Sequence, residues 1–283
     1  MVNIHNVHIK DSSITAGGNY NGGFAAWVDN GESYSYILSY CTVDKLTIDG
    51  LTNKKQQPAV FVAGVANNTT IDHCMVTNST ISAQRNAGII SAAGVRNTTV
   101  TNFISYGNTL ECNYNSIGLV ANTLASDREA TLKNCIFYTT SGAQNMSGSD
   151  NITSKDCNTF TLFGNPDVAG KLTTENIYMT QNNESALKNS VTTTTEEELA
   201  SGAIAYALGW SMKDGKICYA DENHKATAKY TYINGDTTEY RYTDYIGNVI
   251  GEEVTALEGH QWVETAGDKE GDKVFTATAI VSE

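Results

Sequence analysis

The sequence predicts an all-β chain: a right-handed parallel β-helix over residues 1–165, followed by a short capping helix and a small β domain. Three observations carry that expectation. An apolar pattern returns roughly every 30 residues, a spacing proper to solenoid repeats. Each return holds short period-2 patches of Val, Ile and Thr between Asn/Gly/Ser clusters, which read as strands and turns. No return holds ten residues at a period of 3.6, so a helical array is excluded.

The pattern is an apolar residue followed by others three, five and ten places later. It reads Ile4, Val7, Ile9, Ile14, then Leu38, Cys41, Val43, Ile48, then Ile71, Cys74, Val76, Ile81. A fourth copy is Val100, Phe103, Ser105, Leu110, and a fifth opens Leu132, Cys135, Phe137 before fading. A second apolar block accompanies the first: Gly23-Phe24-Ala25-Ala26, Val60-Phe61-Val62-Ala63, Gly88-Ile89-Ile90-Ser91 and Gly118-Leu119-Val120-Ala121. One copy cannot bury its apolar side alone, whereas strands stacked at about 4.8 Å form a continuous core. Val7, Cys41, Cys74, Phe103 and Cys135 are therefore expected to form an inward stack, with Ile9, Val43 and Val76 in the neighbouring one. The column between the first two strands, Asn6, Tyr40, His73, Asn102 and Asn134, is expected to bend the chain, its Asn amides bonding to the next rung. Ala16, Gly50, Ala83 and Cys112 are small enough for a tight corner.

These blocks resemble the GLUG-type repeats of bacterial surface and secreted proteins, which couple a Gly-Leu-Val-Gly-like block to an Ile-Ser-Asn-Cys-like strand. Gly88-Ile89-Ile90-Ser91 followed by Thr99-Val100-Thr101-Asn102-Phe103 carries the likeness, as does Gly118-Leu119-Val120-Ala121 followed by Leu132-Lys133-Asn134-Cys135. The second glycine of the block is Ala or Ser in this chain. The resemblance spans about residues 1–165. It implies a β-helix in an exported bacterial protein and implies no catalytic residue.

Residues 166–226 read as an irregular segment. Within it, Thr195-Glu196-Glu197-Glu198 makes a capping box for a helix over 196–208, with Leu199, Ala203 and Tyr206 on one face and Gly209 as C-cap. The stretch is similar to the short helix that follows β-helix repeats in surface proteins of gut bacteria, which implies that it closes the end of the solenoid. Thr192–Thr195 reads as an exposed link. Residues 227–283 read as a small β-rich module, similar to β repeats of Gram-positive surface proteins. Asn234-Gly235 signals a hairpin. A three-residue loop there would set Tyr230 against Tyr240 and give an aromatic core, and that register is the expected one.

Composition bounds the function. The chain has 283 residues, a net charge of −13 and two prolines. That acidity argues against nucleic acid as a partner. No run of eighteen apolar residues occurs, so membrane insertion by a helix is not expected. The opening residues lack a basic n-region and an apolar h-region, and residue 4 already sits in a repeat. The chain therefore reads as an internal piece of an exported, extracellular or cell-surface protein. Its six cysteines show no C-x₂₋₄-C spacing, so neither a zinc site nor any other metal or cofactor is expected.

Parallel β-helices can carry polysaccharide lyases, which need clustered carboxylates around calcium and a basic residue, or glycosidases, which need two facing carboxylates. Asp44, Asp72, Glu111 and Asp127 fall in different columns, so no catalytic residue is assigned. His73 beside Asp72 has the composition of a base, but a turn-column histidine is more simply a hydrogen-bonding residue. Tyr20, Trp27, Tyr34, Tyr36, Tyr40, Tyr106 and Tyr114 are the candidate carbohydrate-binding residues, since aromatic rings with polar tips suit half-wet contacts; some are expected merely to cover the flank. The expected function is a non-enzymatic surface or secreted module, an adhesin or stalk, with a glycan or a host surface protein as partner. The alternatives are a degenerate or truncated β-helix polysaccharide lyase or hydrolase, and a phage or envelope fibre.

Overall fold

The computed structural model describes residues 1–28, 35–113, 116–120, 129–144, 161–163, 171–180 and 191–281. The chain divides into two compact units, Met1–Thr194 and Thr195–Glu283.

The first unit is a parallel β-solenoid of about four turns. Its main ladder runs Val2–His5, Tyr36–Ser39, Thr69–Thr77, Thr98–Cys112, Glu129–Gln144, Lys171–Met179 and Thr192–Thr193, every pair parallel. Ile4 pairs with Leu38, Leu38 with Ile71, Ile71 with Val100 and Val100 with Leu132, the register read from the repeat. The ladder does not stop at residue 165. Leu132 goes on to pair with Thr174, where a threonine replaces the apolar residue that would have flagged another copy.

Each rung turns at residues with left-handed backbone. One corner column is Asn6, Tyr40, His73, Asn102, Asn134 and Asn176, with φ between 49° and 57°. A second is Asp11, Lys45, Asn78 and Gly107, and a third holds Asn68 and Asn97. Asparagine tolerates this conformation better than other side chains and here also bridges rungs. Asn134 Nδ2 donates to Asn102 Oδ1 at 3.1 Å, and Asn176 Nδ2 to Asn134 Oδ1 at 3.0 Å. Asn97 does the same for Asn68 at 3.2 Å.

Inside, Cys41, Cys74, Phe103 and Cys135 are buried in one stack, with Val43 and Val76 buried beside it and Ile9 half-buried. Phe24 stacks on Phe61, and Phe61 meets Phe103 edge-on. Val7 departs from the expected burial and is 39% exposed. It belongs to the rung of Val2–His5, which among the described residues has a neighbour on one side only.

The second block also needs one correction. Gly22 pairs with Ala59, and Ala59 with Gly88, so the block begins at Gly22 and Ala59 rather than at Gly23 and Val60. The reason is steric. A Cβ on Gly22 would lie 1.9 Å from the Ala25 carbonyl oxygen, and one on Gly88 2.2 Å from that of Ser91. Both glycines leave no room for a side chain at their own rungs, whereas Ala59 fills the same column on the rung between them. A Cβ on Gly23 would also crowd backbone, 2.6 Å from the Val60 carbonyl oxygen.

The second unit opens with the expected capping box: Glu198 N–H donates to Thr195 Oγ1 at 3.0 Å and Thr195 N–H to Glu198 Oε2 at 2.9 Å. The single helix over 196–208 is instead two, α1 (Glu196–Ala200) and α2 (Ala203–Leu208), broken at Gly202 with φ +89°. A Cβ on Gly202 would meet Tyr242 Cβ at 2.9 Å, so the break lets the backbone approach the sheet. Of the expected link, Thr192 and Thr193 are exposed but strand-paired, Thr194 is buried and Thr195 is the N-cap.

A four-stranded sheet follows, in the order Thr237–Tyr242, Lys229–Asn234, Lys273–Ala279, His260–Ala266. Its first hairpin closes through two residues, Gly235 and Asp236, with Tyr230 opposite Arg241 and Thr231 opposite Tyr240. The expected three-residue register is thus overturned. Gly235 has φ +63° at the first central position, as a type II′ turn requires. The aromatic core comes from later strands: Tyr232 stacks on Phe275 at 4.8 Å and meets Trp262 edge-on.

Candidate functional site

Strand alternation sends every second residue of the main ladder outward. One outward column is His5, Ser39, Asp72, Thr101, Lys133 and Glu175. Asp72 is its most connected member. It accepts from Thr101 Oγ1 at 2.6 Å, Asn102 Nδ2 at 3.0 Å and His73 Nδ1 at 2.8 Å. Burial opposes ionisation of Asp72, but the hydrogen bonds from Thr101, His73 and Asn102 outweigh it and hold the carboxyl below the usual range. An ionised carboxylate with both oxygens engaged is a strut, not a proton acceptor.

The adjacent outward column, Thr42, Met75, Ile104 and Ile136, turns apolar on the later rungs. Ile104 and Ile136 are buried although they point away from the solenoid interior. Lys133 pairs with Glu175 at 2.9 Å across two rungs. Asp44 accepts from Thr77 and Asn78, and Glu111 lies in a further column. Asp127 is outside the described residues. Among the described residues, no group of three or more His, Cys, Asp or Glu side chains could hold a metal ion.

The seven aromatic candidates occupy distinct places. Tyr40 is 49% exposed on the asparagine corner, stacked on His73 at 4.8 Å and touched edge-on by His5 at 5.4 Å. Tyr106 is half-buried and stacked on Tyr138 at 4.5 Å. Tyr36 is half-buried and packs against the core. Tyr34 and Tyr114 lie outside the described residues. Tyr20 and Trp27 form a separate pair near the second apolar block, ring centroids 4.9 Å apart at 78°.

Trp27 is seated by a residue that the sequence reading passed over. A Cβ on Gly64 would lie 2.4 Å from Trp27 Cε3 and 3.0 Å from Cδ2 and Cζ3, so the indole rests on bare backbone. Ala25 bridges to Val62, and Gly64 N–H donates to Ala26 O, which puts Trp27 and Gly64 in one column on successive rungs. A bulky ring facing a glycine one repeat later was a legible signal. His5 and Tyr138, which complete the other two ring clusters, have no comparable signal, because each is visible only once the rungs are aligned.

Among the described residues, no helix is long and apolar enough to cross a membrane. No protein-family model, no curated protein and no solved structure matches this chain.

Proposed function

We propose that this chain is a non-enzymatic module of a bacterial surface or secreted protein, built on GLUG-type repeats, that holds a carbohydrate on aromatic side chains displayed along its solenoid. The observation that supports this is the trio Tyr20, Trp27 and Tyr40, exposed by 39%, 47% and 49% although each ring is held by a defined partner. Large rings kept wet on rigid rungs suit a ligand with one apolar and one polar face.

A lyase or hydrolase reading finds its best residues in Asp72 and His73, but among the described residues no metal-holding group of His, Cys, Asp or Glu stands beside them. The test is a glycan array run beside a lyase and hydrolase assay with calcium. Glycan capture without chain cleavage supports a binding module. Turnover of any polysaccharide sinks it.

A further inference from the structure

We infer that Trp27, seated on Gly64 and walled by Tyr20, is a subsite for a neutral β-linked hexopyranose unit, and that Gly64 is the residue that positions it. The inference rests on the carbohydrate reading above and narrows it to one place and one ligand class.

The geometry comes first. One face of the indole lies on the Gly64 backbone, and 47% of the residue is exposed to water. Tyr20 stands nearly perpendicular beside it, at an interplanar angle of 78°. The two rings thus present surfaces set nearly at right angles.

Gly64 and Tyr20 are held by the ladder, and Trp27 lies two residues after the bridged Ala25. Gly64 N–H donates to Ala26 O at 3.0 Å, and Ser91 Oγ donates to Gly64 O at 2.6 Å. Tyr20 belongs to the strand Tyr20–Gly22, in register with Gln57–Ala59. A platform already ordered before binding loses little conformational freedom when a ligand arrives.

Chemistry then selects the ligand. An indole face carries negative quadrupole density, which attracts C–H bonds polarised by neighbouring oxygens. A β-linked hexopyranose with equatorial hydroxyls presents a flat patch of axial C–H groups on each face and keeps its hydroxyls in water. A small cation would also favour a ring face, but a sphere gains most from rings on several sides, and the described residues supply two rings here. The net charge of −13 disfavours uronates.

The full chain is titrated calorimetrically with cellohexaose, laminarihexaose and chitohexaose, and with polygalacturonate and choline as counter-probes. At least one neutral hexasaccharide should bind. Trp27→Ala should weaken it by about tenfold or more. Gly64→Ala should do the same with thermal unfolding unchanged, because the three atoms nearest its methyl all belong to the indole ring, which it would push off its seat. Tyr240→Ala, an exposed ring of the second unit, should leave binding as it was.

Hexasaccharide binding that survives both Trp27→Ala and Gly64→Ala but is lost in Tyr40→Ala overturns the subsite and leaves the carbohydrate reading standing. Binding of choline alone, or of polygalacturonate in preference, overturns the ligand class. No binding of any saccharide overturns both this inference and the reading beneath it.

Discussion

A cysteine facing the interior of a stack behaves as a small apolar side chain whose ionised form is excluded by burial. Cys41, Cys74, Cys112 and Cys135 are buried, whereas Cys218 is only partly buried. Burial pushes the Cys74 and Cys135 thiols up to about 12. Alkylation of native protein at pH 8.5 should therefore reach Cys218 before these four, and all should react at once in denaturant. Rapid native labelling of Cys74, read by peptide mass spectrometry, would show that the columns are misassigned. Asp72 obeys the opposite sign. Its carboxyl is held below the ordinary aspartate range, so the folded state favours the ionised form and gains stability above that range. That gain is lost as pH falls through and below about 4. Asp44 and Asp49 are depressed too, with Asn78 and Thr77 outweighing burial at Asp44 and Thr52 leading at Asp49. Stability measured by urea titration should drop on acidification. Asp72→Asn should lower stability at pH 7 by about 1–2 kcal/mol and flatten that drop. An acid profile identical to that of the parent would mean that Asp72 carries none of it.

At the scale of elements, the helices show where sequence patterns suffice and where they fail. The capping box was legible because its Thr and Glu occupy fixed offsets and satisfy each other's backbone partners. The break at Gly202 was not, because it answers to Tyr242, forty residues away. The repeat register was legible for a related reason: every rung repeats the same inward residues, so four copies vote on one alignment. The hairpin had no such redundancy. Its expected register sought an aromatic partner for Tyr230 within the hairpin, whereas Phe275 and Trp262 supply the aromatic packing from strands far along the chain. The exposed rings were legible as types, and Trp27 on Gly64 was legible from the repeat, but the stacking of Tyr40 on His73 and of Tyr106 on Tyr138 needed the rungs in place. Leu199 tests the docking of the helix that the capping box opens. It is 5% exposed in α1, which packs against Lys216–Cys218. Leu199→Asp should destabilise the second unit by about 2–5 kcal/mol, through lost burial and a desolvated charge. A change within about half a kcal/mol, that of a surface substitution, would show that α1 is undocked.

Across the whole molecule, the solenoid is a stack in which each rung is held by its neighbours, so stability should grade along the axis rather than be shared evenly. The middle strand Thr69–Thr77 is hydrogen-bonded on both sides, to Tyr36–Ser39 and Thr42–Asp49 on one and to Thr98–Cys112 on the other. Exposing its amides requires two interfaces to part. Among the described residues the strand Val2–His5 pairs on one side only, and its rung leaves Val2 and Val7 exposed by 46% and 39%. It can open while every later rung stays intact. Side-chain burial points the same way: Ile9 and Ile14 are half-buried, whereas Val43, Ile48, Val76 and Ile81 are fully buried in the same columns. Amide hydrogen exchange should therefore be fastest in Val2–His5, intermediate in His8–Thr15, and slowest in Thr69–Thr77 and Thr98–Cys112. Urea well below the unfolding midpoint should accelerate the first rung less steeply than the middle rungs, because local opening exposes less surface than separating the stack. Uniform protection across these strands, with one common urea slope, would instead mean that the solenoid opens only as a whole, and that its end rung gains from the core as much as any other.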